Sequence, residues 1–355
     1  MTARLQWRFA IAALVQKIML SLFKRLPGKA LVKLSGGVPT VIANRTLDPM
    51  IQFIATQGAN SPPMTSLTPQ EARHAMDEGF ALTQNPLHPM ASVEDRLIPG
   101  PDGDIPVRVY TPRGAKGTLP ILQYMHQGGC VIGSLDSCHG FCTMLADVVQ
   151  AIVVSIDYRL APEHPFPAAP EDAVAAFRWL RKHGDDWGGD PDRMAVAGDS
   201  AGGGLSAVIT HTFQKEGLPQ PLCQALIYPW VEALADTQSY TDFGEAYPLD
   251  KATMEWFGDC YLTSPEDASD TRVSPLRETD FTGLAPALVY TAGFDPLHDE
   301  GEAYAGKLRD AGVPVTYRSY DSLSHAFTAL GGAVPAAHRA LLEIAHDIRT
   351  QLRGN

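Results

Sequence analysis

The sequence predicts an α/β fold in which a parallel sheet is covered by helices on both faces. Six apolar segments of strand length alternate with helical segments along most of the chain. Strands that are buried on both faces are apolar throughout, and a strand–helix alternation is typical of parallel sheets. A chain of 355 residues is long enough for one large hydrophobic core with further helices around it.

The elements before the parallel sheet are helices as far as residue 90, followed by a hairpin. The segment Thr68-Pro69-Gln70-Glu71 predicts the start of a helix, because Thr caps it, Pro suits its first turn and Glu follows three residues after the cap. Two short strands, Val93–Ile98 and Ile105–Tyr110, flank Gly100-Pro101-Asp102-Gly103. Glycine-rich turns between such strands indicate a β-hairpin.

The alternating part of the chain supplies the predicted parallel strands: Leu119–Tyr124, Ala151–Ile156, Met194–Ala197, Leu222–Tyr228, Ala287–Thr291 and Val315–Tyr320. Helices Pro170–His183 and Ala201–Glu216 lie between them, and a glycine directly follows each. The alternation stops at residues 231–280, which are aromatic and helical in pattern, and we interpret this stretch as an insertion. Its aromatic side chains either line an apolar pocket or attach the insertion to the core.

Composition indicates a globular protein that does not bind nucleic acid. The formal net charge is -12, and 45% of the residues are hydrophobic. An acidic surface repels phosphate backbones, so no nucleic-acid partner is expected.

The five cysteines are an odd number, and none has the spacing of a zinc site with matching histidines. We therefore expect free thiols in a reducing, cytoplasmic location and no metal site.

The N-terminal segment Leu5–Leu26 is apolar with scattered basic residues. Its longest uncharged run, Phe9–Gln16, is much shorter than the ~20 residues that span a bilayer. No clear cleavage site follows it, so we do not expect a signal peptide. The pattern predicts an amphipathic helix that either packs on the protein or makes a peripheral membrane contact. Packing on the protein is the commoner role of such a helix.

The motif Gly198-Asp199-Ser200-Ala201-Gly202 is the only G-x-S-x-G in the chain. It follows a predicted strand and precedes a predicted helix, which is the context in which a tight turn presents a serine hydroxyl for chemistry. Backbones approach closely in such a turn, so Gly198 and Gly202 must lack side chains. The alternative is a plain glycine-rich turn with a serine helix cap. We predict that Ser200 is a catalytic nucleophile.

A serine hydroxyl needs a base, and the base needs an orienting acid. In a fold of this type the acid precedes the histidine, and each follows a later strand. His325 and Asp295 meet this condition, at strand ends where open α/β sheets place their sites. Asp299 is the alternative acid, although we expect it to cap the next helix. His298 and His338 are poorer bases, because one precedes the last strand and the other lies within the last helix.

A glycine loop follows the first parallel strand, in the sequence His126-Gln127-Gly128-Gly129. Bare backbone N–H groups in such a loop can face the oxyanion that develops during acyl transfer. We predict the oxyanion hole to consist of the N–H groups of Gly128, Gly129 and Ala201. We expect His126 to support the loop through hydrogen bonds.

Several motifs together resemble the hormone-sensitive-lipase-like (bacterial family IV) esterases of the α/β-hydrolase superfamily. The motifs are Leu47-Asp48-Pro49, DYRLAPEHPFPAA at residues 157–169, GDSAGG at residues 198–203, Asp295-Pro296-Leu297 and His325-Ala326-Phe327. The resemblance extends from about Leu47 to the C-terminus. It implies an α/β-hydrolase fold with a mostly parallel eight-stranded sheet, helices on both faces and a helical cap.

The resemblance also implies a domain organisation and an activity. Residues 1–90 would form an N-terminal extension and cap helices, 91–230 the first part of the core, 231–280 a cap insertion and 281–355 the rest of the core. The implied activity is that of a carboxylesterase, which cleaves short to medium acyl esters of small molecules through an acyl-enzyme without a cofactor. Alternatives are an amidase or lactonase, a membrane-associated lipase, and a non-catalytic receptor. A homodimer is also compatible with the family.

The chain departs from the family pattern at three positions near the predicted site. Gln127 stands at the first glycine of the usual HGGG, Cys130 at the following aromatic residue, and Ala326 at the glycine after the base. We expect the side chains of Gln127 and Cys130 to border the pocket and to alter the preference for the acyl or alcohol group.

The family stretch at residues 157–169 contains charges that do not require a catalytic role. We expect Arg159, Glu163 and His164 to form a supporting network under the oxyanion loop, because buried charges must be paired and rigid loops need such supports.

Overall fold

A computed structural model describes residues 20, 22–59 and 61–353. Its strands are β1 Val41–Ile42, β2 Arg45–Thr46, β3 Met90–Gly100, β4 Gly103–Pro112, β5 Leu119–Met125, β6 Ile152–Ile156, β7 Gly189–Asp199, β8 Gln224–Ile227, β9 Ala287–Phe294 and β10 Val315–Ser324. The short strands β1 and β2 pair with each other, and the other eight strands form one sheet.

The large sheet has the strand order β10-β9-β8-β7-β5-β6-β4-β3. β3 and β4 form an antiparallel hairpin across Gly100 and Gly103, and β4 is also antiparallel to β6. All other neighbouring strands are parallel. The predicted mostly parallel eight-stranded sheet is therefore confirmed, together with the hairpin.

Strand ends differ from the predicted ends where they approach the predicted site. β9 and β10 are longer than predicted, because their parallel pairing continues as far as Phe294 and Ser324. β8 is shorter and stops at Ile227, since Tyr228 has a φ of 35°, which no strand accommodates. β9 and β10 thus end directly before the predicted acid and base, and β8 ends directly before Tyr228.

The α-helices whose bounds lie within the described residues are α1 Gly28–Leu34, α2 Pro49–Gly58, α3 Pro69–Thr83, α4 His139–Leu145, α5 Ala168–His183, α6 Ala201–Lys215, α7 Gln238–Asp242, α8 Lys251–Tyr261, α9 His298–Asp310 and α10 Pro335–Arg353. The start of α3 confirms the predicted capping box. The Thr68 hydroxyl accepts from the Glu71 N–H, and the Glu71 carboxylate accepts from the Thr68 N–H at 2.9 Å.

Both faces of the sheet are covered, as the apolar strands predicted. Consecutive residues point to opposite faces, so Leu122 and Val153 pack in one core cluster with α4 and α10. Their neighbours Ile121 and Val154 pack in a second cluster with α5 and α6.

Residues 231–280 are helical as predicted, and contain α7, α8 and two 3₁₀ turns.

The N-terminal segment lies largely outside the described residues, which begin at Leu20. The end of the segment packs on the protein, because the Leu20 side chain joins the core cluster and the Phe23 ring lies 4.7 Å from that of Phe53. Within the described ranges, no helix is both long and apolar enough to cross a membrane.

Arg159 forms a structural ion pair within the family stretch. Its guanidinium donates to the buried Asp172 carboxylate at 2.8 and 2.9 Å, and its backbone N–H donates to the same group at 2.9 Å. Glu163 makes a separate pair with Arg73, at 2.6 Å. The His164 side chain is exposed and takes part in neither pair. The expected single network of Arg159, Glu163 and His164 is therefore not formed, because Arg159 and Glu163 belong to separate ion pairs.

We expect Arg159→Met to lower the free energy of unfolding by about 3 kcal/mol, because it leaves a buried Asp172 carboxylate without its partner. Arg178→Met is the matched control, since the ion pair of Arg178 with Glu216 is exposed and contributes about 1 kcal/mol or less. Urea unfolding measures both losses. Equal losses in the two variants, or a collapse of turnover in folded Arg159→Met, would contradict a purely structural role.

Candidate active site

Ser200 occupies a sharp turn between β7 and α6 with a φ of 56° and a ψ of -122°. The turn is possible only because its glycines lack side chains. A Cβ at Gly198 would lie 2.2 Å from the Gly202 carbonyl oxygen, and one at Gly202 would lie 2.1 Å from the Met125 carbonyl oxygen. The strained serine conformation is thus held by backbone contacts with the end of β5.

The structure brings the three predicted triad residues together. His325 Nε2 lies 3.0 Å from Ser200 Oγ, and His325 Nδ1 lies 2.7 Å from Asp295 Oδ2. Each residue directly follows a parallel strand, so all three meet at the same edge of the sheet. A carboxylate only accepts hydrogen bonds, so the imidazole proton lies on Nδ1 and Nε2 is free to accept from the serine hydroxyl.

Asp295 is fixed from its other side. Its Oδ1 accepts from the Leu297 N–H at 2.9 Å, and the residue has no exposed surface. Its carboxylate is therefore held in one orientation toward His325, which fixes the ring in turn.

Asp299, the alternative acid, lies outside this arrangement. Its Oδ2 accepts from the Ser239 N–H at 2.8 Å, and its Oδ1 faces His298 Nδ1 at 3.0 Å. The cap position of α9 is Leu297, so the prediction that Asp299 caps this helix is wrong. Asp299 lies instead in the first turn, where it attaches the start of α7 to the core.

The alternative bases are engaged elsewhere. His298 Nε2 lies 3.0 Å from an Arg45 nitrogen, which can only donate, so the lone pair of His298 is occupied. His338 lies on α10, where its Nδ1 faces the Asn85 side-chain oxygen at 3.3 Å. Neither histidine contacts Ser200 among the hydrogen bonds of the described residues.

The glycine loop after β5 presents backbone donors beside Ser200. Gly128 and Gly129 have φ values of 124° and 61°, which favour glycine, and a Cβ at Gly128 would lie 2.1 Å from the Ile132 carbonyl oxygen. Neither N–H donates a hydrogen bond within the described part of the chain. Ala201 is the first residue of α6, so its N–H has no acceptor within the helix. The three predicted oxyanion donors are thus available.

His126 supports this loop from within the core. Its Nδ1 donates to the Gln127 carbonyl at 2.8 Å, and its ring stacks on that of Tyr158 at 4.3 Å. The Tyr158 hydroxyl donates to the His126 carbonyl at 2.7 Å. Burial lowers the pKa of His126, so it remains neutral while it holds the loop.

Arg73 is a further support that the sequence did not reveal. From α3 it donates to the Val131 carbonyl and to the Ala161 carbonyl, both at 2.8 Å, while it pairs with Glu163. One side chain thus connects a helix before the sheet with the loop that carries the predicted oxyanion donors. No local motif marks it, because its partners are about 60 and 90 residues away.

A buried hydrogen-bond network lies beneath the triad and includes Gln127. The Asp199 carboxylate accepts from the hydroxyls of Tyr124, Tyr228 and Thr328 at 2.7, 2.9 and 2.6 Å. The Gln127 side chain donates to the Thr328 hydroxyl at 3.4 Å. Burial raises the pKa of Asp199, and the three hydroxyl hydrogen bonds oppose that rise. The network joins the nucleophile turn, the oxyanion loop and the histidine loop.

The departures from the family pattern have different structural outcomes. The Gln127 side chain is buried and donates to the Thr328 hydroxyl. Cys130 is only 2% exposed and packs near Tyr261, and burial raises the pKa of its thiol to about 12. Ala326 has a φ of 60°, a conformation that costs an alanine about 1 kcal/mol more than a glycine.

Helix α8 covers the site from above. The Phe257 ring lies directly over Gly129, where a Cβ would come within 2.4 Å of it. Ser200 is only 6% exposed. Two other aromatic residues of residues 231–280 attach this region to the core, because Phe243 packs on Phe294 and Tyr261 on Phe166.

Comparison with known families supports this description. The family described as alpha/beta hydrolase fold matches residues 122–329, which is more than half of the chain. The matched residues include the glycine loop, the G-x-S-x-G turn, the acid and the base. The resemblance stated from the motifs is therefore confirmed.

Curated relatives and solved structures match most of the chain. The carboxylic ester hydrolase LipN of Mycobacterium tuberculosis is 39% identical over 349 residues, which cover 95% of this chain and 92% of LipN. An ethyl acetate hydrolase of Pseudomonas putida is 37% identical and covers 82% of this chain and 92% of its own. The thermostable carboxylesterase EstE1, from a metagenomic library, is 42% identical with a TM-score of 0.77, covering 81% of this chain and 99% of EstE1.

A further solved structure includes a bound ligand. This ester hydrolase from the metagenome of Lake Arreo, complexed with a bipyridine phosphonate derivative, is 40% identical with a TM-score of 0.81. The match covers 84% of this chain and 96% of that structure.

The two carboxylates near α9 can be distinguished by matched substitutions. We expect Asp295→Asn to lower kcat by about 10⁴-fold, because the amide no longer holds the proton on His325 Nδ1. Asp299→Asn should cost about 1 kcal/mol of stability and leave kcat nearly unchanged, since it weakens one hydrogen bond to Ser239. Steady-state kinetics on one nitrophenyl ester rank the two variants. The reverse ranking would identify Asp299 as the acid.

Gln127→Gly tests whether the Gln127 side chain takes part in turnover. We expect a loss of about 1 kcal/mol of stability, from added freedom in the unfolded chain, and little change in kcat, because the donors are backbone groups. The matched control is Gln70→Gly, which removes a glutamine side chain from the exposed start of α3. A 100-fold drop in kcat on an acetate ester in Gln127→Gly alone would show that the side chain supports the transition state.

Proposed function

The chain belongs to the alpha/beta hydrolase fold family, and on that basis we propose that it hydrolyses carboxylic esters through an acyl-enzyme on Ser200. The observation that carries the proposal is the unbroken line of hydrogen-bond distances from Ser200 Oγ through His325 to Asp295. Three relatives named above are a carboxylic ester hydrolase, an ethyl acetate hydrolase and a carboxylesterase, which supports an ester as the substrate.

In the first half of the reaction, Ser200 Oγ attacks the ester carbonyl carbon while its proton passes to His325 Nε2. Asp295 stabilises the imidazolium that forms and keeps its orientation. The carbonyl oxygen becomes an oxyanion, which accepts hydrogen bonds from the N–H groups of Gly128, Gly129 and Ala201. When the intermediate collapses, the bond to the alcohol oxygen breaks and His325 gives its proton to that oxygen.

The second half of the reaction repeats these steps with water. His325 takes a proton from a water molecule that attacks the acyl carbon, and the oxyanion is held by the same three donors. Collapse then breaks the bond to Ser200 Oγ, which recovers its proton from His325. The products are a carboxylic acid and an alcohol, and no metal or organic cofactor takes part.

We propose short to medium acyl chains as substrates. The Phe257 ring over Gly129 and the low exposure of Ser200 limit the space above the reacting carbon. The same triad would serve an amidase or a lactonase, but the relatives described above are esterases, which favours an ester. Small-molecule esters, and not nucleic acids or proteins, are therefore the proposed partners of this site.

We expect Ser200→Ala to lower kcat on nitrophenyl acetate by ~10³-fold or more while the protein stays folded, since it removes one hydroxyl and little packing. Ser61→Ala, at an exposed position, is the control. A phosphonate ester should label wild-type protein at Ser200, as located by mass spectrometry, and leave Ser200→Ala unlabelled. Retention of a tenth of the wild-type rate would exclude Ser200 as the nucleophile.

A rate profile tests the substrate class. We expect kcat/KM on nitrophenyl esters to be highest for short to medium acyl chains and to fall for long ones, because a covered site discriminates by volume. The corresponding anilide should react far more slowly. Comparable rates on ester and anilide would favour an amidase, and highest rates on long chains would favour a lipase.

A further inference from the structure

The charges of this protein are distributed unevenly along the chain. The first 47 residues contain eight Lys or Arg and no Asp or Glu, whereas the remaining 308 contain twenty Lys or Arg and forty Asp or Glu. An acidic protein therefore has one strongly basic segment. Because screening in physiological salt acts over about 8 Å, the local charge of that segment matters more to a contact there than the net charge of the molecule.

The described part of this segment carries its charges at the surface. Its exposed cations are Lys24, Arg25, Lys29 and Lys33. None of the four forms an ion pair within the described residues. Residues 1–19 contain no acidic side chain either, so they cannot neutralise these charges.

The same segment exposes an unusual share of apolar side chains. Leu22, Leu26, Leu34, Val38 and Val41 are five of the twelve large hydrophobic residues that are exposed in the described chain. These five lie within twenty consecutive residues, and Val38 and Leu34 are 72% and 52% exposed. Apolar side chains among unpaired cations are typical of surfaces that contact membranes.

The segment is also anchored beside the active site. Arg45, within the segment, donates to the Gly293 carbonyl at 3.0 Å, and the N–H of Asp48, directly after the segment, donates to the Ser322 carbonyl at 2.9 Å. Ser322 and Gly293 lie near the carboxyl ends of β10 and β9, the strands that precede His325 and Asp295. A surface that binds this segment would therefore lie near the edge of the sheet that carries the triad.

We propose that residues 22–41 form a docking surface for an anionic lipid bilayer, with the exposed lysines and arginine at the headgroups and the exposed leucines and valines in the interface. The complementary charge selects anionic lipid. A symmetric contact with a second copy would oppose like charges, and a nucleic acid would make no use of the apolar side chains. The proposal is independent of the esterase chemistry, since it rests on no catalytic residue.

Co-sedimentation of the full chain with vesicles tests the proposal. We expect binding to phosphatidylcholine vesicles that contain phosphatidylglycerol, little binding to phosphatidylcholine alone, and release at high salt. Each basic side chain near an anionic surface changes the affinity about fivefold, so Lys29→Gln with Lys33→Gln should weaken binding by about tenfold or more. The matched control is Lys116→Gln with Lys182→Gln, which removes the same charge from exposed sites elsewhere and should have no effect.

A second pair of variants tests the apolar part. Leu34→Ser with Val38→Ser should also weaken vesicle binding, whereas Leu87→Ser with Leu97→Ser, at other exposed positions, should not. If the lysine pair alone matters, the exposed apolar side chains do not enter the interface, and the proposed docking surface is wrong. If the apolar pair alone matters and changes the sedimentation coefficient without vesicles, the surface binds a second copy, which also overturns it.

Two further outcomes separate this proposal from the proposed function. Ser200→Ala should bind vesicles as the wild type does, and all four double variants should hydrolyse a soluble nitrophenyl ester at the wild-type rate. The docking surface would be overturned if the protein bound neither kind of vesicle, or if both the Lys29/Lys33 and the Leu34/Val38 double variants bound as the wild type does. Either result would leave the proposed esterase activity unaffected.

Discussion

The backbone contact between the nucleophile turn and the end of β5 determines the geometry of the site. The carbonyl oxygen of Met125 lies where any side chain at Gly202 would have to be, so the turn and the strand can approach only as bare backbone. The oxyanion loop begins at the next residue of the chain. The proposed nucleophile and the proposed oxyanion donors therefore follow two adjacent parallel strands and do not depend on mobile side chains for their placement, which is the preorganisation that oxyanion stabilisation would require.

Beyond this contact, the site is held by groups that do not take part in the chemistry. The Asp199 carboxylate joins the ends of β5 and β8 to the histidine loop through three hydroxyls. Arg73 joins a helix from the start of the chain to the loop after β5, and Asp299 joins α7 to the core. The Asp199 and Arg73 contacts end at loops of the proposed site, whereas the Asp299 contact ends at the start of α9.

The sheet and the triad could be predicted from the sequence because their signals are local. A buried strand is an apolar run, and Ser200, Asp295 and His325 each lie in a short motif that directly follows one. The supports could not be predicted in this way. Gln127 and Thr328 are 201 residues apart, and neither has a neighbour that indicates its partner. The role of Asp299 was misassigned because the start of α9 depends on Leu297 and Asp295, which no pattern of capping residues indicates.

Position 129 is restricted by two unrelated demands, one from the backbone and one from the helix above it. Its φ of 61° favours glycine, and the Phe257 ring leaves no room for a side chain. The space above Gly129 can therefore be altered by substitutions in the helix, but not at position 129 itself. A substitution of Phe257 would change the space above Gly129 while the backbone of the proposed donors stays in place. Substrate preference could thus be altered from the helix without any change to the proposed catalytic groups below it.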